Sequence, residues 1–100
     1  IEDAAQRFAA AVEAAPEEFE GHFNLAAAQH ELRDLEAAIA SYKRALACAP
    51  NHVGALYNLA LARAAIGDLA SARSDLLQLE LLDPAAAGKL REQLDTLFKR

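Results

Sequence analysis

Methionine and tryptophan are absent, and cysteine occurs once, as Cys48. A lone cysteine excludes an intramolecular disulfide. Cys48 lies in the apolar stretch ALACAP, near a predicted helix C-terminus. A reactive thiol needs a nearby cation or a helix N-terminus, so Cys48 is expected to pack as a small hydrophobe. A reducing, cytoplasmic setting fits this usage. A chain without methionine does not hold its own initiator, so a piece of a longer protein or a processed product is expected. No apolar run approaches the roughly 20 residues that span a bilayer. No signal peptide is visible, and no membrane partner is expected. Glycine-rich phosphate loops are missing too.

Basic residues are also scarce. Ten Lys and Arg face fifteen Asp and Glu, a formal net charge of -5. Phosphate neutralisation supplies most of the affinity of nucleic-acid binders, so no nucleic-acid partner is expected. Lys43-Arg44 and Lys99-Arg100 are the only basic clusters, each near a predicted helix end, where they would complement the dipole. Glu17, Glu18 and Glu20 read as a solvated first turn.

What the chain has in quantity is small and apolar. Apolar residues make up 54% of it, and 26 of these are Ala and 16 are Leu. Such a composition excludes disorder and favours helices that approach closely through small residues over a sheet. An all-α fold is expected.

The segment HFNLAAAQHELRDLEAAIASYKRALACAP, from His22 to Pro50, returns thirty-four residues later as LYNLALARAAIGDLASARSDLLQLELLDP, from Leu56 to Pro84. Asn24-Leu25 becomes Asn58-Leu59, Ala26 becomes Ala60, and Asp34-Leu35 becomes Asp68-Leu69. Pro16, Pro50 and Pro84 keep the same step. A fixed period of this length marks a helical repeat array. Helices are predicted over Glu2–Ala15, about Pro16–Leu32, Leu35–Cys48, Val53–Ile66, Leu69–Leu82 and Ala86–Phe98. In the first, Ala4, Phe8, Ala11 and Val12 share a face. Leu90, Leu94, Leu97 and Phe98 form a stripe on the last. Pro16 ends one helix and suits the first turn of the next, and Pro84 closes the fifth. Asp34 is expected to cap the third, and Gly67-Asp68 to end the fourth and cap the fifth.

These residues resemble the tetratricopeptide repeat family, whose unit is an antiparallel helix pair, A and B. Residues 19–52 match one repeat through Leu25, Ala26, Ala38, Tyr42, Ala45 and Pro50. Residues 53–86 match a second through Leu56, Leu59, Ala60, Ala72, Leu76 and Pro84. Residues 1–16 match the B helix of a partial repeat, and 87–100 a capping helix. Departures occur at His22, Arg33, Gln29, Arg63, Arg73 and Leu79. The resemblance implies a helical hairpin solenoid, a right-handed superhelix whose A helices line a concave groove.

That groove is the candidate site. The resemblance places there Glu20, Phe23, Asn24, Ala27, His30 and Glu31, then Gly54, Tyr57, Asn58, Leu61, Ala64 and Ala65, and last Gly88, Arg91, Glu92 and Asp95. Phe23, Asn24, Ala27, His30, Tyr57, Asn58, Leu61 and Arg91 are the expected peptide contacts. Asn24 and Asn58 recur at one repeat position. An amide that donates and accepts can hold a peptide backbone whatever its sequence. This resembles the asparagine ladder of the O-linked N-acetylglucosamine transferase repeats. The two-carboxylate clamp of chaperone-binding repeats is not expected, because Phe23, Ala27, Gly88 and Glu92 occupy the places of its Lys, Asn and Arg.

Catalysis is not expected. His22 and His30 lie eight residues apart, and neither they nor His52 joins a second strong ligand at metal-site spacing. Ser41, Ser71 and Ser74 read as exposed positions of B helices. No cofactor and no metal are implied. The expected role is a scaffold or adaptor module that binds a peptide or helix of a protein partner, neutral to slightly basic. The alternatives are self-assembly through stacking of repeat units, with a homo-oligomer through residues 1–16 where Phe8 and Val12 lack a covering helix, and RNA binding of the pentatricopeptide kind, which the acidic balance disfavours.

Overall fold

The computed structural model describes residues 2–15 and 17–98. It contains six α-helices: α1 Glu2–Ala14, α2 Phe19–Glu31, α3 Leu35–Cys48, α4 Val53–Ala65, α5 Leu69–Leu82 and α6 Pro84–Phe98. Each packs on the next in chain order, and α6 also reaches back to α4. The all-α expectation holds, and α3 and α5 match their predicted bounds. The expectations for Pro16, Lys99 and Arg100, and for the Phe98 side chain, lie outside the described residues.

Alanine sets the spacing. Ala26, Ala38, Ala60 and Ala72 are all 0% exposed. With only a methyl group between helix axes, the backbones come close, and large residues fill the flanks. Tyr42 and Leu59 join Ala26, Ala38 and Ala62 in one core cluster. Leu56, Leu79, Leu90 and Leu94 form a second, with Ala60, Ala64, Ala72 and Ala87. Leu79 replaces the small Ala45 of the first repeat, yet both are fully buried. The added volume is matched by Ala87, which shares the Leu79 cluster and stands one repeat after Val53.

The two A–B turns share one design. In the first, the Arg33 N–H donates to the His30 carbonyl (3.0 Å) and the Asp34 N–H to that of Gln29 (2.9 Å). In the second, Gly67 and Asp68 bond in the same way to Ala64 and Arg63. This is a Schellman closure, which needs a left-handed residue just past the helix. Gly67 adopts it at φ 88°, and Arg33 at φ 66°. The missing turn glycine therefore leaves the turn's shape unchanged and places an arginine in a conformation that side chains disfavour.

Several local expectations need correction. Pro84 follows the end of α5 as expected but also opens α6, two residues earlier than predicted. Asp83 explains it: its carboxylate accepts from the Ala86 N–H (3.2 Å), a cap that suits proline at the first helical position. Asp68 caps α5 through the Ser71 N–H (3.2 Å), and the Ser71 bonds hold its carboxyl below the usual range. Asp34 makes no such side-chain bond; Ala37 stands where Ser71 does. The α2 helix begins at Phe19, not near Pro16. Ala11 is exposed, so it leaves the buried face of α1. Cys48 is exposed as well, at an open cleft beside α1 and α2. The last turn of α3 holds no basic residue, so Lys43 and Arg44 sit too early to serve the dipole.

Two stability measurements follow from this geometry. Leu59, 2% exposed, and Leu25, 9% exposed, are expected to cost roughly 2–5 kcal/mol each on truncation to Ala in a denaturant melt. Arg33→Gly is expected to stabilise by about 1 kcal/mol, because it removes the left-handed penalty while keeping both turn bonds.

Candidate functional site

The site builds from two A helices, α2 and α4. Phe23 is half-buried on α2, and its ring lies 5.4 Å from Phe19, 6.0 Å from Tyr42 and 5.6 Å from His52. Phe19 and His52 are closer still, with centroids 4.3 Å apart. His30 meets the Tyr42 ring edge-on at 6.2 Å. One continuous row of rings thus joins α2 to α3 and to the start of α4. His52 is fixed there as the α4 cap, its Nδ1 accepting from the Ala55 N–H (3.1 Å). Gly54 keeps this corner open, since a Cβ would stand 3.1 Å from His52 Cε1. Tyr57 and Leu61, both half-buried, pack against the Leu56–Leu79 cluster.

The two asparagines are not equivalent. Asn24 is exposed and Asn58 half-buried. Burial pushes the Tyr42 phenol up to about 12, while a side-chain hydrogen bond from Asn58 pulls the other way. Asn58 is thus engaged with Tyr42. One repeat earlier the Tyr42 position is Phe8, which offers Asn24 no such group. Ala27 is half-buried beside Asn24. Ala64, expected to line the groove, is 3% exposed and belongs to the core, because α6 covers that side of α4. Arg91 is exposed but forms an ion pair with Glu80 of α5. No ring contact or hydrogen bond among the described residues links it to the α2–α4 row.

The charges of the face are few. Glu20, Glu31, Glu92 and Asp95 are exposed. Partial burial and then Arg33 lower the His30 pKa, with Glu31 opposing, so the imidazole is neutral at pH 7. Such a surface offers amides, a phenol, ring faces and carboxylates. Among the described residues no three His, Cys, Asp or Glu gather as a metal site. No described helix is long and apolar enough to cross a membrane. A cleft of about 490 Å³ lies between α1, α2 and α3, lined by Val12, Glu17, His22, Arg44, Ala47 and Cys48. It contains none of the predicted peptide contacts. His22, 4% exposed, occupies the buried place that Leu56 fills one repeat on.

Two polar bridges were missed by the sequence reading. The Ser41 hydroxyl donates to Gln29 Oε1 at 2.8 Å. Arg63 Nη1 donates to both Asp75 oxygens at 2.8 Å. Gln29 and Arg63 are one repeat apart, as are Ser41 and Asp75. Each pair therefore ties an A helix to its own B helix at one shared position. Ser41 is buried, not exposed as expected, and Ser71 is half-buried. The signal was available: two departures from the family pattern at Gln29 and Arg63, each with a polar partner twelve residues on.

Comparison with known families matches a tetratricopeptide repeat model to residues 1–53 and a second model, also tetratricopeptide repeat, to residues 41–74. The chain belongs to the tetratricopeptide repeat family. Repeats of this kind generally mediate protein–protein interaction or scaffolding and are generally non-catalytic. A comparison with curated proteins finds no match.

The Arg63–Asp75 pair carries a pH prediction. The side chains are 19% and 8% exposed. Burial raises the Asp75 pKa, and Arg63 opposes the rise. A carboxyl raised in the folded state costs stability when it ionises. That cost is absent below the ordinary carboxylate value and complete above the raised one. Removing Arg63 raises it further. Arg63→Gln is therefore expected to destabilise by about 3 kcal/mol at pH 7, and by clearly less below about pH 4, where Asp75 is protonated. Arg63→Gln with Asp75→Ser, which copies Gln29 and Ser41, is expected to recover most of the loss. Urea melts at both pH values read it.

Proposed function

We propose that the chain is a non-catalytic interaction module that holds an extended peptide of a protein partner across the α2–α4 face. The observation that carries this reading is the recurrence of Asn24 and Asn58 at one repeat position, beside the half-buried rings of Phe23 and Tyr57. The amides would bond the peptide backbone, and the rings and Leu61 would take its side chains. Ala27 and His30 would complete the α2 half. Arg91, paired with Glu80, would contribute at the rim. The exposed acids of this face favour a neutral or slightly basic ligand over an acidic one. Nucleic acid is disfavoured for the same reason. The groove of two repeats is short, and an affinity on the order of 1–100 μM is expected.

Calorimetric titration of a display-selected peptide tests the reading. Asn24→Ala with Asn58→Ala is expected to weaken binding by roughly 1–3 kcal/mol, and Arg7→Ala on α1 to leave it unchanged. Asn58→Ala also removes the partner of Tyr42, so a melt should show a loss of about 1 kcal/mol that Asn24→Ala does not. Equal affinity for the double variant and the parent places the peptide elsewhere.

Self-assembly through residues 1–16 is the second reading. Phe8 and Val12 are half-buried, with α1 packed on α2, and a partly open apolar face favours association.

A further inference from the structure

Helix α5 carries six leucines, in LASARSDLLQLELL, more than one face can bury. Leu79 is fully buried and Leu76 half-buried, but Leu77 is 64% and Leu81 87% exposed. In α3 the same repeat positions hold Lys43 and Ala47. Exposed apolar side chains grouped on one helix face mark an interaction surface.

We infer that this face of α5 pairs with the same face of a second copy of the chain, antiparallel about a twofold axis. Ala70, Ser74, Leu77 and Leu81 form one exposed stripe at helical spacing, and none is charged. The stripe is small at its N-terminal half and large at its C-terminal half. A twofold contact must be self-complementary. Antiparallel pairing achieves this: Leu81 seats over Ala70 of the second copy and Leu77 over Ser74, so large residues meet small ones in both halves. The flanking residues match as well. On one flank exposed Arg73 falls beside Glu80 of the second copy, a cation near a carboxylate, and on the other Gln78 falls beside Ser71. The two neighbouring acids are held within their own copy, Asp75 by Arg63 and Glu80 by Arg91. No repulsion between carboxylates opposes the approach. None of the stripe residues is assigned to the peptide face, so this pairing stands apart from that reading.

One helix face from each copy buries less than the roughly 1,200 Å² of a standard interface. A weak dimer is therefore expected, with dissociation on the order of 100 μM. Sedimentation equilibrium from about 10 μM to about 1 mM should show the mass rising toward a dimer. Leu81→Glu, at an exposed position, should keep the helical melt and weaken the dimer at least about tenfold. In a Cys48→Ser background, a mixture of Ala70→Cys and Leu81→Cys chains should form a disulfide dimer on mild oxidation, and Ala70→Cys chains alone, about 16 Å apart along the pair, should not. A parent that stays monomeric at 1 mM overturns the proposal and leaves the face to a different protein. So does an association that survives Leu81→Glu but is lost with Phe8→Gln, which assigns it to residues 1–16. Cross-linking of Ala70→Cys with itself at equal yield overturns the antiparallel register.

Discussion

The fold depends on how closely its helices approach, and alanine sets that distance. Four alanines at matching repeat positions, Ala26, Ala38, Ala60 and Ala72, are wholly removed from solvent. A larger side chain at any of them would force the helices apart or into strained rotamers, since a close-packed interior transmits added volume to its neighbours. The large residues then occupy what the alanines leave: Tyr42 between α2, α3 and α4, and Leu79 between α4, α5 and α6. Such a core is thin in buried area per residue. It gains specificity from spacing, and the polar bridges add to it.

Those bridges show how one backbone position accepts two chemistries. Gln29–Ser41 is neutral, and Arg63–Asp75 is charged and nearly buried. A buried ion pair recovers its desolvation cost only with good geometry; one Arg63 nitrogen spans both Asp75 oxygens at 2.8 Å, yet burial still raises the Asp75 pKa, so the cost is offset only in part. Gln29 and Arg63 also give the carbonyls that close the two turns. The residue that departs from the family pattern thus fixes both ends of the hairpin connection: its side chain holds the B helix, and its backbone holds the chain reversal.

Helix number, order and period were legible because they rest on local rules: a thirty-four-residue step, alanine and leucine at helical spacing, and proline or Asp-Leu at the breaks. What escaped depends on neighbours distant in sequence. Serine is most often exposed, so Ser41 read as exposed until α2 placed Gln29 over it. Cys48 read as buried because its sequence neighbours are apolar, yet it lies exposed at the open cleft beside α1 and α2. Pro84 carries both a stop and a start signal, and both act: α5 ends before it, and the Asp83 cap makes it the first residue of α6. For the candidate face, the residues on α2 and α4 were readable from the repeat position. The engagement of Asn58 with Tyr42 was not, because it crosses from one repeat to the next.

The electrostatics of the face follow from the same pairing logic. Among the expected peptide contacts Arg91 is the one residue with a fixed positive charge. In the fold its guanidinium is directed to Glu80, so its charge is largely cancelled at the distances a ligand senses. Residues 45–62, which include the first three turns of α4, contain no Asp, Glu, Lys or Arg. Glu20 and Glu31 lie eleven residues apart on α2, about 16 Å along the helix. That separation exceeds the screening length of roughly 8 Å at physiological salt, so each acts alone. A ligand along α2 would therefore meet two separate weak attractions for cations with neutral amides and rings between them. Basic residues near both ends of a short peptide, with uncharged ones between, would match that spacing better than a cluster of positive charge, because a cluster reaches only one carboxylate at a time.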